Sequence, residues 1–150
     1  MPKLRMTFEA AITPQQFVEA LTDFGPERGR MWAHSTADYL KVHDKRETFA
    51  DVTEGSRVFG GAWERVHYDW SDPHMIILQT VDSNIWDNTS GWTYELKPAV
   101  DGTITTIHYT VERFPRNNKG RLLLVFMGVY GKRILRKDFE KLLKRIEERG

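Results

Sequence analysis

The sequence predicts an α+β domain in which a seven-stranded curved antiparallel sheet wraps around a long C-terminal helix, with two short helices after the first strand. Three observations lead there. Between Tyr39 and Phe114 apolar residues recur with a period of two in six consecutive segments, separated by breaks as short as Ser71-Asp72-Pro73 and Pro98 to Gly102. Connections that short join antiparallel neighbours, because a parallel crossover takes a dozen residues or more. From Asn118 to Arg149 the spacing changes to three and four with no internal proline, the pattern of one amphipathic helix. The length, 150 residues without repeat, low-complexity stretch or linker, suits a single domain over 1–150 that buries about two-thirds of its unfolded surface.

In chain order, Lys3 to Ile12 is rich in strand formers, and Thr13-Pro14 then opens a helix with an N-cap hydroxyl followed by proline at the first helical position. Gln15 to Phe24 continues that helix, with Phe17, Leu21 and Phe24 on one apolar stripe. Gly25-Pro26 breaks it, and Glu27 to Ala33 forms a second short helical turn carrying Met31 and Trp32. Six strands follow, at Tyr39 to Asp44, Thr48 to Glu54, Ala62 to Trp70, His74 to Asp82, Ser90 to Lys97 and Thr103 to Phe114. The last helix puts Leu124, Met127, Gly131, Leu135, Phe139, Leu142 and Ile146 on one face. About thirty residues at 1.5 Å each make a rod of roughly 45 Å, enough to cross the sheet. A rod does not fill a concave sheet along its whole length, so a gap between the two is expected.

Composition narrows the function classes. The 22 Lys and Arg nearly balance 21 Asp and Glu, for a net charge of +1, which argues against a disordered polyanion and against nucleic-acid binding. The chain has no Cys, which excludes disulfide scaffolds, thiolate metal sites and Cys nucleophiles and fits a cytoplasmic location. Met1-Pro2-Lys3-Leu4-Arg5 is not followed by the apolar core of a signal peptide, and the longest apolar run, Leu122 to Tyr130, is too short to span a bilayer.

The element order resembles the helix-grip fold of the SRPBCC (START-like, Bet v 1-like) superfamily. Gly60-Gly61-Ala62-Trp63-Glu64-Arg65-Val66, Tyr68-Asp69-Trp70-Ser71-Asp72-Pro73, Asp82-Ser83-Asn84, Ser90-Gly91-Trp92-Thr93-Tyr94 and Asp101-Gly102-Thr103 are similar to the strand-turn pattern of its bacterial polyketide cyclase/dehydrase and lipid-transport-like members. The resemblance covers essentially the whole chain. It implies a hydrophobic cavity between sheet and helix, a small lipid-like or aromatic polyketide-like ligand, and no cofactor. No catalytic motif of the aromatase/cyclase members maps onto this sequence, so a cyclase/dehydratase-type enzyme stands as an alternative, and a protein-partner module as another, with monomer or homodimer left open.

Alternation names the residues expected to line that cavity. Trp92, Tyr94 and Leu96 share one face of their strand, Ile107, Tyr109 and Val111 one face of the last strand, and Val66, Tyr68 and Trp70 one face of the fourth, with Trp63, Arg65 and His67 outside. A bulge is expected at Gly60-Gly61. The helix is expected to add Leu123, Met127, Tyr130 and Ile134, with Gly128 and Gly131 leaving room. Glu64, His67, His108 and Arg113 are placed on the convex face, reaching a cavity only if the register slips by one. The five histidines, His34, His43, His67, His74 and His108, show no helical i, i+4 pair, so no metal site is expected. Residues 119–150 hold ten basic and four acidic side chains, net +6 against −5 for the rest. The apolar run Leu122 to Tyr130, flanked by Lys119, Arg121, Lys132 and Arg133, suits transient docking on an anionic membrane surface.

Overall fold

In the computed structural model, which describes residues 3–32, 35–57 and 60–149, the chain runs β1 (Lys3–Ala10), α1 (Pro14–Leu21), α2 (Arg28–Met31), β2 (Lys41–Lys45), β3 (Phe49–Ser56), β4 (Ala62–Asp69), β5 (Met75–Ser83), β6 (Gly91–Pro98), β7 (Thr105–Glu112) and a C-terminal rod. The rod consists of α3 (Asn118–Phe126), a π-helical turn (Met127–Gly131) and α4 (Lys132–Arg149). Met1, Pro2, Ala33 and His34, which entered the sequence reading, lie outside the described residues. All seven strands form one antiparallel sheet in the order β1-β7-β6-β5-β4-β3-β2. β2 to β7 are thus the expected meander, and β1 is added beyond its last strand.

Several ends differ from expectation for local reasons. α1 opens with a reciprocal cap, Thr13 Oγ1 accepting from Gln16 N at 3.1 Å and Gln16 Oε1 from Thr13 N at 2.7 Å. It stops at Leu21, not Phe24, because the Thr22 hydroxyl and amide both donate back to the Val18 carbonyl. β7 begins at Thr105 rather than Thr103, since Asp101 Oδ1 accepts from the amide and hydroxyl of Thr103 and keeps that residue in the turn. The bulge is not at Gly60-Gly61, which turn into β4 with φ of 81° and 111°. One bulge lies where Arg65 pairs with Asp82 but Val66 with Thr80, leaving Val81 as the extra residue of β5, and another lies at His43 of β2, where Val42 pairs with Val52 and Asp44 with Asp51. The buried parity of β5 consequently switches from Ile76, Leu78 and Thr80 to Ser83.

The C-terminal rod carries the largest departure from a regular helix. Leu123, Met127, Gly131, Leu135 and Phe139 follow one another at four-residue steps, each of which advances an ideal α-helix about 40° past a full turn. The π turn at Met127–Gly131 widens the helix where this drift would carry the face off the sheet. Residues one position earlier then point away: Tyr130 and Ile134, expected inward, are exposed.

The core is built from the concave face of the sheet, one face of α1 and the second half of the rod. Phe139 stands at its centre, with ring centroids of Phe8, Tyr109, Tyr94 and Phe17 at 4.7, 5.1, 5.8 and 6.1 Å. Leu142, Leu143 and Ile146 continue this contact toward the C-terminus. Nearer the start of the rod no such ring is inserted, and the sheet and helix part.

Candidate functional site

The opening between sheet and rod is a cavity of about 270 Å³. Leu123, Met127 and Leu135 form its helical wall, Trp92, Tyr109 and Val111 its sheet wall, and Trp63, Ile85 and Trp86 its rim. Larger hollows, such as that of about 670 Å³ along the Lys45–Phe49 hairpin, are open surface notches. At about 30 Å³ per water molecule this partly open cavity has room for on the order of ten non-hydrogen atoms, just below the usual range of about 300–1,000 Å³ for small-molecule pockets.

Two ion pairs border this apolar space. Arg113 donates end-on to Glu64, from Nη1 to Oε2 at 2.8 Å and from Nη2 to Oε1 at 3.0 Å, and Thr80 Oγ1 donates to Glu64 Oε2 at 2.9 Å. The guanidinium carbon lies 4.6 Å from the Trp92 ring centre and 5.2 Å from that of Trp86, a geometry that favours a cation over a π face. Only 14% of the Arg113 side chain and 12% of the Glu64 side chain is exposed. Burial works against the charge on Arg113, but the Glu64 carboxylate outweighs it and the guanidinium pKa is raised.

The second pair ties α2 to the sheet. Arg28 donates from Nε to Glu54 Oε1 at 2.5 Å, from Nη2 to the Tyr68 hydroxyl at 3.0 Å, and from Nη1 to the carbonyls of Leu21 and Asp23. Glu54 also accepts from Ser35 Oγ at 2.8 Å and from the Tyr68 hydroxyl. Phe24, outside α1, stacks under the guanidinium with its ring centre 4.5 Å away. Tyr68, Tyr94 and Tyr109 all have raised phenol pKa values, burial being the main cause in each. Raised phenols and raised guanidinium groups lie further from neutrality than their ordinary values, so these groups hold their protons at neutral pH.

The twelve residues expected to contact a ligand divide into three groups. Trp92, Tyr109, Leu123 and Met127 line the cavity. Val66, Tyr68, Tyr94, Leu96 and Ile107 point inward but are sealed in the core below it, and Trp70 packs against that core from the end of β4. Tyr130 and Ile134 lie on the outer side of the rod. Trp63, expected outside, reaches the rim beside Gly55, which has no side chain to block it. Glu64 and Arg113 reach the cavity without any slip, because they share the parity of Val66 and Val111. His67 and His108 do stand on the convex face, His67 stacked on Phe49 and His108 hydrogen-bonded to Thr7 Oγ1 at 3.1 Å. Ile85 and Trp86 come from the loop after β5, outside any periodic segment, held by Ser83 Oγ accepting from both of their amides at 3.1 Å. Among the described residues, no three His, Asp or Glu side chains converge as metal ligands would.

A second surface feature lies on the far side of the same rod. Leu122, Val125, Phe126, Val129, Tyr130 and Ile134 are between 40% and 68% exposed. Lys132 and Arg133 are exposed beside them. No helix of the described residues is long and apolar enough to cross a membrane.

No protein-family model matches this sequence, and no curated protein does. Solved structures do. The Zhui aromatase/cyclase from Streptomyces sp. R1128 is similar with a TM-score of 0.75 at 13% identity, over 98% of this chain and 94% of that one. A START superfamily protein from Mycobacterium smegmatis is similar with a TM-score of 0.71 at 8% identity, over 96% and 98%. The di-domain ARO/CYC BexL from the BE-7585A biosynthetic pathway is matched over 98% of this chain and 50% of its own, with a TM-score of 0.59 at 9% identity. At such identities the likeness concerns the fold: the chain has the helix-grip fold of START-like and polyketide-cyclase-like proteins.

Proposed function

We propose that this protein binds and carries one small hydrophobic ligand, lipid-like or aromatic, in the cavity between the sheet and the C-terminal rod. The observation that carries the reading is the cavity itself: a partly open, aromatic-walled space where a solid core would otherwise continue. Its volume suits a fused two-ring compound or part of an acyl chain, whose buried area supplies affinity at about 25 cal/mol per Å² before ordering costs. The charged groups at the wall are paired with one another, and the Arg113 guanidinium and Tyr109 phenol hold their protons near neutral pH, which favours a binder over a proton-transfer catalyst. A cyclase/dehydratase-type enzyme is the second reading, supported by the likeness to Zhui and BexL. A partner-binding module is less well supported, since it has no use for the cavity.

Native mass spectrometry of the protein from its own cytosol, followed by denaturation, should release a stoichiometric apolar compound. The purified protein should also take up 2-naphthol, and Met127→Trp, which fills the helical wall, should abolish uptake while the protein stays folded by circular dichroism. Absence of any released compound together with absence of naphthol uptake would overturn the reading. Unchanged uptake by Met127→Trp would remove the rod from the site. Turnover of a polyketone chain by the wild type would move the assignment to the enzyme.

Ligand exchange is assigned to an anionic membrane surface. The exposed apolar stripe of the rod can enter the headgroup boundary while its cations meet anionic lipid, each contributing about 1 kcal/mol near the surface. Because the same helix walls the cavity on its other side, docking brings the cavity to within about one helix diameter of the bilayer. Lys132→Glu with Arg133→Glu should weaken binding to vesicles containing one-third phosphatidylserine by at least about tenfold and leave binding to neutral vesicles unchanged. Equal binding of both proteins, or a concentration-dependent dimer in place of vesicle binding, would overturn the assignment.

A further inference from the structure

The Glu64–Arg113 pair is an unusual thing to find on the wall of an apolar cavity. A buried ion pair contributes little net stability compared with an apolar pair of the same size, so its presence invites the question of what it recognises. Its geometry restricts the answer. An arginine carries five N–H donors, and the end-on contact with Glu64 uses one from each terminal nitrogen. No other hydrogen bond of this guanidinium is formed among the described residues, and Trp92 and Trp86 hold its plane in place. Glu64 is committed on both oxygens, to Arg113 and to Thr80.

We propose, resting on the ligand-binding reading above, that Glu64 and Arg113 together select the ligand's head group, accepting a neutral acceptor oxygen such as a phenol or ketone and rejecting a carboxylate on the same skeleton. A neutral oxygen takes one of the remaining Arg113 donors and leaves the pair intact. A carboxylate has to share the guanidinium with Glu64, which puts two like charges within a few ångströms of each other beside a largely buried ion pair. The wall therefore presents a hydrogen-bond donor held by a cation whose charge is already neutralised. Without Glu64, the same arginine becomes a carboxylate receptor of the fork-to-fork kind.

The test compares 2-naphthol with 2-naphthoate, two probes with one ring skeleton, by tryptophan fluorescence titration at neutral pH. Wild-type protein should bind 2-naphthol more tightly, and Glu64→Gln should shift the naphthol-to-naphthoate affinity ratio toward naphthoate by at least about tenfold, the scale of one hydrogen bond between charged groups. Should Glu64→Gln fail to fold, a second variant serves: Glu64→Leu with Arg113→Met removes both charges together, a replacement that folded proteins commonly tolerate. That variant should lower the affinity for 2-naphthol relative to naphthalene by about tenfold. An unchanged ratio in whichever variant folds, with 2-naphthol still bound, overturns the head-group assignment and leaves the carrier reading in place. Failure of the wild type to bind any of the three probes overturns the head-group assignment, and together with the absence of a released compound it overturns the carrier reading as well.

Discussion

Truncating Glu54 to alanine should lower the stability of the protein by about 3–5 kcal/mol, the usual result of leaving one partner of a buried ion pair unpaired. The reason lies in α2. A helix of four residues has no stability of its own, and Arg28 holds it against the sheet from a position where 1% of its side chain is exposed. The arginine reaches Glu54 on β3, Tyr68 on β4 and two carbonyls at the end of α1. Removal of Glu54 leaves a cation facing a hydroxyl, carbonyls and the rings of Phe24, Trp32 and Tyr68, with no counter-charge among these partners. Against a total stability of about 5–15 kcal/mol for a domain, such a loss is large. At about 2–4 °C per kcal/mol for a chain of this size, the melting temperature should fall by on the order of 10 °C. Truncation of Asp38, which pairs with Arg57 at the surface, supplies the control, because an exposed pair contributes about 0–1 kcal/mol. Equal losses from the two truncations would mean that the buried pair does not anchor α2.

The difference between what the sequence made legible and what it hid follows the same distinction between local and non-local order. Trp92, Tyr94 and Leu96 could be placed on one face because period two is a property of a single strand. The antiparallel meander and the long C-terminal helix could be read because connection lengths and the change of period are likewise local. Glu64 and Arg113 were in the pattern too, two residues before Val66 and two after Val111, but inward positions are recognised by their apolarity, and a charged side chain reads as solvent-facing. Only the pair explains either residue, and its members stand 49 positions apart. Arg28 and Glu54 pose the same problem across 26 positions. Trp86 reaches the rim through a loop and an isolated bridge to Pro115, for which no periodicity exists. Tyr130 and Ile134 were misplaced because apolarity on this helix marks two faces, the cavity wall and the exposed stripe, and the π turn decides between them.

Phe139→Ala should be the second large effect, and it links stability to the site. The ring is buried, 5% exposed, and touches Phe8, Phe17, Tyr94 and Tyr109. Deleting such a side chain costs about 3–5 kcal/mol, from lost transfer free energy and from the void left behind. Here the void does not open into a uniform core. Leu135, one turn earlier on α4, and Tyr109, 5.1 Å from the deleted ring, are both cavity walls, so the new space should join the existing cavity and deepen it toward α1. Apolar voids of this kind accept small aromatic molecules. The variant should therefore gain affinity for a three-ring phenol relative to 2-naphthol, and saturating three-ring ligand should restore part of its lost melting temperature, since a ligand bound only to the folded state stabilises it. If calorimetry finds the stability loss but titration finds no change in size preference, the side chains around Tyr109 have collapsed into the void. The observed cavity then ends where the aromatic cluster begins, and Phe139 determines its depth only by supporting Tyr109.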